Sequence, residues 1–408
     1  MEIIADLHIH SKYSMATSKL GTPEYLDLWA RKKGISIVGT GDFTHPAWRE
    51  ELKEKLIPAE AGLYRLKEEY VLEEAKLLPG QSPRFVITGE ISSIYKKNGK
   101  CRKVHNVLLL PGFEAADQIA ERLEKIGNIH SDGRPILGLD CHDLLGILLE
   151  NCADGILIPA HIWTPHFGLF GAASGFDTME ECFEDLTPYV HAVETGLSSD
   201  PPMNWRLSAL DGFQLISNSD AHSPSKLGRE ANLLDIDLSY QGIYNAIQYG
   251  KGLVGTLEFF PEEGKYHYDG HRKCHICLSP EEAEKYQGKC PVCGKELTMG
   301  VDHRILDLAD RGNGFRKKNA RPFESIVPLL EVISACLKKG ITTKTVLSEY
   351  EKMLQRLGNE FQILREIPIE DIEKEGGQKL AYGIEKLRKK EVICKPGFDG
   401  EYGKICLF

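Results

Sequence analysis

Histidines and carboxylates collect where short apolar runs end. His8 and His10 close the first run as DLHIH, Asp42 and His45 the second as TGDFTHP, and Glu90 the third as TGEI. His105 sits inside the fourth run, His161 ends the next as PAHIW, Glu194 another as VETG, and Asp220 with His222 ends the last as SNSDAH. A single histidine at a strand end is ordinarily just a satisfied polar residue, but acid or imidazole groups at so many successive ends form a ligand set for two or three divalent ions, Zn, Mn or Mg. An HxH pair on a strand sends both side chains to one face, as chelation by neighbours requires. Paired ions suit phosphoester hydrolysis, so Glu90 and Asp220 are expected to be catalytic. Lys226 and Arg229, in SPSKLGREAN just after His222, are placed to bind a phosphate oxygen, although solvated loop charges fit them equally well. His142 opens a helix-like stretch and reads as structural, with Asp140 and Asp143 as caps or turn residues.

A second metal signal is separate from the first. Cys274 and Cys277 form one CxxC and, after twelve intervening residues, Cys290 and Cys293 form another. Four thiolates on one tetrahedral zinc is the expected arrangement, in preference to a redox pair. The chain has eleven cysteines, and the other seven are scattered singly, which suits reduced thiols rather than a disulfide framework.

These groups need a scaffold that brings strand ends together. Strand-like runs at Ile3 to Ile9, Ile35 to Thr40, Phe85 to Ile91, Val104 to Leu110, Gly155 to Ile162, His191 to Glu194, Phe213 to Ser217 and Leu253 to Phe259 alternate with helical spacing such as Pro23 to Lys33 and Ala115 to Gly127. No Gly-rich phosphate turn follows the first strand, so a barrel-like parallel α/β domain is favoured over an open doubly wound sheet. Composition changes near 262 and 305. The expected units are a metal-dependent catalytic domain (1–262), a zinc-ribbon domain (263–305) and a helical, basic DNA-binding domain (306–408).

Length (408 residues) and 42% hydrophobic content exclude a disordered or collagen-like chain, and no window has the apolar run of a membrane span. With no basic, apolar leader at the N-terminus, a cytoplasmic protein is expected, nucleoid-associated when on DNA. The net charge of −10 argues against a non-specific nucleic-acid coat, but residues 301–408 are +3 and the rest −13. Two basic clusters lie in that positive segment, Arg316, Lys317, Lys318 and Arg321, then Lys386, Arg388, Lys389 and Lys390. They are expected to contact a phosphate backbone, against the alternative of a solvated face. The loop HIWTPHFGLFGAASGF carries Trp163, Phe167, Phe170 and Phe176 among glycines. A stacking pocket for an extruded base and a local core are equally consistent with it.

DLHIHSKYS, TGEI, the His161 segment and SDAH resemble the motifs of the polymerase and histidinol phosphatase (PHP) superfamily of metal-dependent phosphoesterases, whose fold is a distorted (βα)7 barrel. The resemblance implies that His8, His10, Glu90, His105, His161, Asp220 and His222 are metal ligands, with Glu90 bridging two ions. Asp42 and His45 depart from the adjacent Asp-His of many members by the insertion of Phe43 and Thr44. With YHYDGHRKC entering the cysteine ribbon and the RPFESIVPLLE helix, the chain as a whole resembles the endonuclease Q family. That resemblance implies a DNA-repair nuclease cutting 5′ to uracil, hypoxanthine, xanthine or an abasic site, with DNA as partner and a sliding clamp as a candidate one. The competing readings are a histidinol-phosphatase-like enzyme for small molecules and a non-catalytic DNA-binding protein.

Overall fold

The computed structural model describes residues 2–408. In chain order its strands are β1 (Ile3–Asp6), β2 (Ile37–Gly39), β3 (Leu56–Pro58), β4 (Tyr64–Leu66), β5 (Arg84–Lys97), β6 (Lys100–Leu110), β7 (Ile136–Leu137), β8 (Ile156–Pro159), β9 (Ala192–Glu194), β10 (Gln214–Ile216), β11 (Ala231–Leu234), β12 (Leu253–Glu258), β13 (Asp269–His271), β14 (Ile276–Leu278), β15 (Phe323–Ser325), β16 (Ile393–Lys395) and β17 (Lys404–Cys406). Every run that the sequence marks as a strand contains one.

Strands β1, β2 and β5 are parallel neighbours, and β6 returns antiparallel along β5 over its whole length. The reversal is dictated locally. Asn98 and Gly99 take φ 53° and 73°, the two left-handed residues of a tight hairpin turn. Strand β8 pairs antiparallel with β6 and so runs with β5. From there the Ile162 amide donates to the Glu194 carbonyl (3.1 Å) and β9 pairs parallel with β10. Beyond β10, the Leu7 amide donates to Asn218 Oδ1 (2.9 Å) and the His10 amide to the Ala221 carbonyl (2.9 Å). The ends of β1, β2, β5, β8, β9 and β10 therefore meet on one rim. The sheet is mixed rather than all parallel: β6 turns back along β5, β11 pairs antiparallel with β1, and β12 with β11, an order that the separate runs in the sequence do not convey.

Helices cover the outside. Pro23–Lys33 starts with proline, whose missing amide costs nothing there, and ends at Gly34 (φ 90°), whose amide donates to the Ala30 carbonyl. It buries Leu26 and Ala30 against Phe85, Leu233 and Leu257 in one core cluster. Asp140 caps Cys141–Asn151 through the His142 amide, as its position in LDCHDL suggests. Helices Leu329–Leu337, Lys344–Leu357, Ile369–Gly376 and Gln378–Arg388 close a separate core around Ile333, Tyr350, Met353 and Ile384. That core is tied to the first helix by buried Lys33 Nζ, which donates to Glu360 Oε1 (2.8 Å), while the Tyr350 hydroxyl donates to Glu360 Oε2 (2.8 Å).

The three regions interlock. Helix Val301–Leu308 straddles residue 305 and buries Val301 and Ile305 in the core cluster of Ile87, Leu108 and Leu144, and β15 pairs with β12. Residues 396–403 run back across the ribbon and the cavity lip: Gly397 donates to the Glu262 carbonyl, Gly403 to that of Glu263, and Tyr268 to that of Gly397. Among the described residues no helix is long and apolar enough to cross a membrane.

Candidate active site and metal centres

Glu90, fully buried on β5, faces two sets of donors with its two carboxylate oxygens. Oε1 is 2.7 Å from His105 Nδ1 and 3.1 Å from His161 Nε2. Oε2 is 3.3 Å from His10 Nε2 and 3.6 Å from His8 Nε2. Asp220 Oδ1 completes the second set, 3.1 Å from His10 Nε2 and 3.8 Å from His8 Nε2. Donor atoms of His8, His10, Glu90 and Asp220 lie within 4.8 Å of one another, and so do those of Glu90, His105 and His161. His8 Nε2, His10 Nε2 and Asp220 Oδ1 are buried without a hydrogen-bond partner. Leaving them so would be expensive, and a divalent ion on this nitrogen and oxygen set removes the expense. The residues present therefore fit two ions sharing Glu90.

The electrostatics agree with a site built for positive charge. Burial opposes a charged His8 or His10, but Glu194 and Glu90 beside the first, and Asp220 and Asp42 beside the second, outweigh it and hold both rings well above the usual imidazole range. Burial likewise opposes an ionised Glu90, and His105 and His8 reverse that, keeping it well below the ordinary carboxylate value. His105 itself is pushed down to about 4, mainly by burial. Asp42, His161 and Asp220 all hold left-handed backbone, φ 51°, 31° and 47°, unusual for residues with side chains.

Three expected ligands stand behind the site instead of in it. Asp42 Oδ1 lies 3.0 Å from His10 Nδ1, and its Oδ2 accepts from the Ser11 amide (2.7 Å), Ser11 Oγ (2.6 Å) and Ser14 Oγ (2.9 Å). Glu194 Oε2 lies 3.0 Å from His8 Nδ1. Both carboxylates thus hold the far ring nitrogen, turning Nε2 toward Glu90 and Asp220, the usual arrangement behind a ligating histidine. His45 points away: its Nε2 donates to the His130 carbonyl (2.9 Å) and its ring stacks on Tyr13. His222 lies tilted against His10, ring centroids 4.6 Å apart, and lines the cavity, but its Nδ1 is engaged with the Asp220 carbonyl (2.9 Å).

A cavity of about 630 Å3 opens over the donors, walled by Phe167, Phe259, Tyr266 and Tyr402. Only Phe167 of the four loop aromatics reaches it, its ring tilted against His105 with centroids 4.4 Å apart. Trp163, Phe170 and Phe176 are buried core residues, which corrects their reading as base contacts. The loop folds onto itself, with Phe170 donating to the Ile162 carbonyl and Phe176 to that of Leu169. Its glycines serve this packing: a Cβ at Gly171 would stand 2.3 Å from the Thr164 carbonyl oxygen. Arg229 spends Nε and Nη2 on the Ser219 and Asp220 carbonyls, so it positions Asp220, and Lys226 pairs with Glu331 at 2.8 Å. The sequence reading missed Arg134, whose Nη1 is 3.1 Å from Glu90 Oε2. SDGRP signals a turn and nothing more.

The cysteine cluster also departs from its spacing. His271, Cys274, Cys290 and Cys293 bring their donors within 4.8 Å of one another, whereas Cys277 Sγ faces the Pro396 carbonyl. The β13–β14 hairpin explains this: Cys277 pairs with Gly270, so strand alternation turns it from the face that carries His271. The two knuckles are H-x-x-C followed by His275 (φ 53°) and C-x-x-C followed by Gly294 (φ 72°), the same left-handed step after each. Three cysteines and one histidine fit a structural zinc.

The basic clusters are partly internal. Arg321 donates to the Leu253 and Gly250 carbonyls and to Gln214, and Arg388 to the carbonyls of Ile363, Leu364 and Ile367, so both are structural rather than free for DNA. Lys317 donates to the Asp211 carbonyl, Lys386 lies over Tyr382 and Lys390 over Phe323. Arg316, Lys318 and Lys389 are exposed, the last paired with Glu385.

Comparison with known proteins follows the same outline. The fold superposes on the crystal structure of the lesion-specific endonuclease PfuEndoQ from Pyrococcus furiosus with a TM-score of 0.86 and 32% identity, covering 99% of this chain and 95% of that one. It superposes equally on endonuclease Q in complex with a 27-mer duplex substrate carrying an abasic lesion at the active site (TM-score 0.85, 32% identity, 99% and 96% covered). Among sequences, it is 28% identical to YqxK of Bacillus subtilis over 99% of both chains. It is 36% identical to MJ0043 of Methanocaldococcus jannaschii over 251 residues, 60% of this chain and 31% of that longer protein, so the chain spans about a third of that relative. Residues 328–391 match the MJ0043 C-terminal domain.

Proposed function

Because the chain belongs to the endonuclease Q family, we propose that it is a metal-dependent DNA-repair endonuclease that hydrolyses the phosphodiester 5′ to a deaminated base or an abasic site. The observation that carries the reading is Glu90, whose two oxygens address two donor sets at the floor of a cavity large enough for a nucleotide. His8, His10, Glu90 and Asp220 would hold one ion, and Glu90, His105 and His161 a second. Such ions supply Lewis acidity, activating water and neutralising charge on the phosphoryl oxygens. The barrel is read as the distorted PHP type, closed through β9 and β10, and the working compartment as the cytoplasm and its DNA.

The protein's own groups supply orientation. Asp42 and Glu194 each accept the Nδ1 proton of a histidine, so the Nε2 of His10 and of His8 is the atom that would give up its proton to a metal. Asp6 accepts from the Ser219 and Gly228 amides (3.1 and 2.9 Å) and Arg229 donates to the carbonyls of Ser219 and Asp220; together they fix the loop that carries Asp220. A base inside a stacked duplex cannot reach this floor, so the damaged nucleotide is extruded into the cavity, where Phe167 offers an aromatic face. Hydrolysis breaks the P–O3′ bond, leaving a 3′-hydroxyl on the preceding nucleotide and a 5′-phosphate on the damaged one.

The purified protein should be incubated with a labelled uracil duplex, an abasic duplex, an undamaged duplex and a chromogenic phosphate monoester, each with and without chelator. Chelator-sensitive cutting of the lesion duplexes alone is expected. Turnover of the monoester alone would instead identify a small-molecule phosphatase, and none at all a binding protein.

A further inference from the structure

Lys226 and Arg229, the cations that follow Asp220 in sequence, are engaged with Glu331 and with backbone carbonyls. A different cation is free to meet the substrate. Arg134 lines the cavity and, among the described residues, its guanidinium makes one hydrogen bond, from Nη1 to Glu90 Oε2. Among the described residues Nε and Nη2 have no hydrogen-bond partner.

The segment that carries it is held from both sides. His45 Nε2 donates to the His130 carbonyl, Gly133 donates to the Tyr13 carbonyl (3.0 Å), and Thr44 Oγ1 to that of Gly133 (3.2 Å). Asp132 Oδ1 accepts from the Met15 and Arg134 amides (3.2 and 3.0 Å), and the Ser92 amide donates to the Pro135 carbonyl (3.0 Å). A Cβ at Gly133 would stand 2.3 Å from Asp42 Oδ2, so the loop is seated directly on the carboxylate that orients His10. This much anchoring is more than a solvated surface arginine needs. It fixes a planar, permanently charged donor beside the shared carboxylate.

We infer that Arg134 binds a non-bridging oxygen of the scissile phosphate and stabilises the charge that gathers there as the water oxygen bonds to phosphorus and the P–O3′ bond breaks, the 3′-oxygen leaving as a hydroxyl. The inference rests on the nuclease reading above. A preset donor aimed at developing charge acts mainly on the reaction step.

The test compares wild type, Arg134→Ala and Arg134→Lys on a uracil duplex, with melting temperature and bound metal measured on the same samples. Arg134→Ala is expected to lower kcat about a hundredfold with KM changed less than about threefold, and Arg134→Lys to recover part of the loss. Single phosphorothioate stereoisomers at the scissile phosphate give a second readout: wild type should be slowed by one isomer, and Arg134→Ala should lose that discrimination. Cutting by Arg134→Ala near the wild-type rate, an unchanged stereoisomer preference, or a loss that tracks depleted metal or a lowered melting temperature would overturn the inference. If wild type leaves every duplex intact, the nuclease reading falls instead, so the two failures are distinct.

Discussion

Replacing Asp42 by asparagine tests whether this carboxylate orients a ligand or is one. Its Oδ2 accepts three hydrogen bonds, one from the Ser11 amide, a group that can only donate. An asparagine must therefore put its carbonyl oxygen there, which leaves its NH2 facing His10 Nδ1 across the 3.0 Å now spanned by Oδ1. The amide donates, Nδ1 accepts, and the ring proton moves to Nε2, the atom aimed at Glu90 and Asp220. The lone pair needed for a metal is gone. Losing an orienting partner ordinarily costs 10–100-fold in metal affinity, about 1.4 to 2.7 kcal/mol, which is the expectation for Asp42→Ala, where the ring remains free to choose its tautomer. Asp42→Asn should be weaker than Asp42→Ala despite being the closer isostere. Glu194→Gln should be milder than either: among the described residues its oxygens meet only His8 Nδ1, so the amide can turn its carbonyl to that proton. Chelator competition with Mn2+ or Zn2+ at fixed pH measures all three. Metal binding by Asp42→Asn as tight as by Asp42→Ala would refute the tautomer argument.

At the ribbon, His271→Ala should release one equivalent of zinc while Cys277→Ser retains it, as read by metal analysis after gel filtration; the reverse would restore the four-cysteine site. In the cavity, Phe167→Ala should impair cutting at uracil more than at an abasic site, while Phe170→Ala should cost about 3 to 5 kcal/mol in urea melts and affect both substrates alike. Equal substrate losses for Phe167→Ala would assign it to packing as well. Beneath the rim, burial and the neighbouring Asp200 lift Glu258 to about 8, against 4.5 for an ordinary glutamate. The folded protein keeps a proton there that the unfolded chain has shed, so stability falls as pH rises between those values. Glu258→Gln should be neutral near pH 5 and stabilising on the order of 4 kcal/mol at pH 9, and a difference that does not grow with pH would contradict this.

The rim was legible because strand ends announce themselves: DLHIH, TGEI, PAHIW and SNSDAH each stop an apolar run on a donor, and any barrel-like closure gathers them. What sequence order could not convey is which atom of a side chain meets which neighbour. Asp42 and Glu194 share the types of the converging donors but reach the opposite nitrogens of His10 and His8. Cys277 has ideal spacing from Cys274, yet strand alternation gives the place to His271. Aromatics among glycines suggested an open pocket, and the same glycines let the loop collapse so that Trp163, Phe170 and Phe176 are enclosed. Arg134 left no trace, since its position depends on contacts with residues 13–15, 44–45 and 90–92 that only the folded chain brings near it.

The strap formed by residues 396–403 makes the mouth of the site depend on the far end of the chain. It bonds to Glu262 and Glu263, offers Asp399 to the Arg272 amide and places Tyr402 at the cavity wall, bridging roughly 130 positions of sequence. The closures that gather the donor sets are longer still: Leu7 reaches Asn218 and His10 reaches Ala221, each 211 positions away. Donor assembly and mouth closure therefore both join remote parts of the chain, and the wall that Tyr402 supplies is present only while the helical region holds the strap in place.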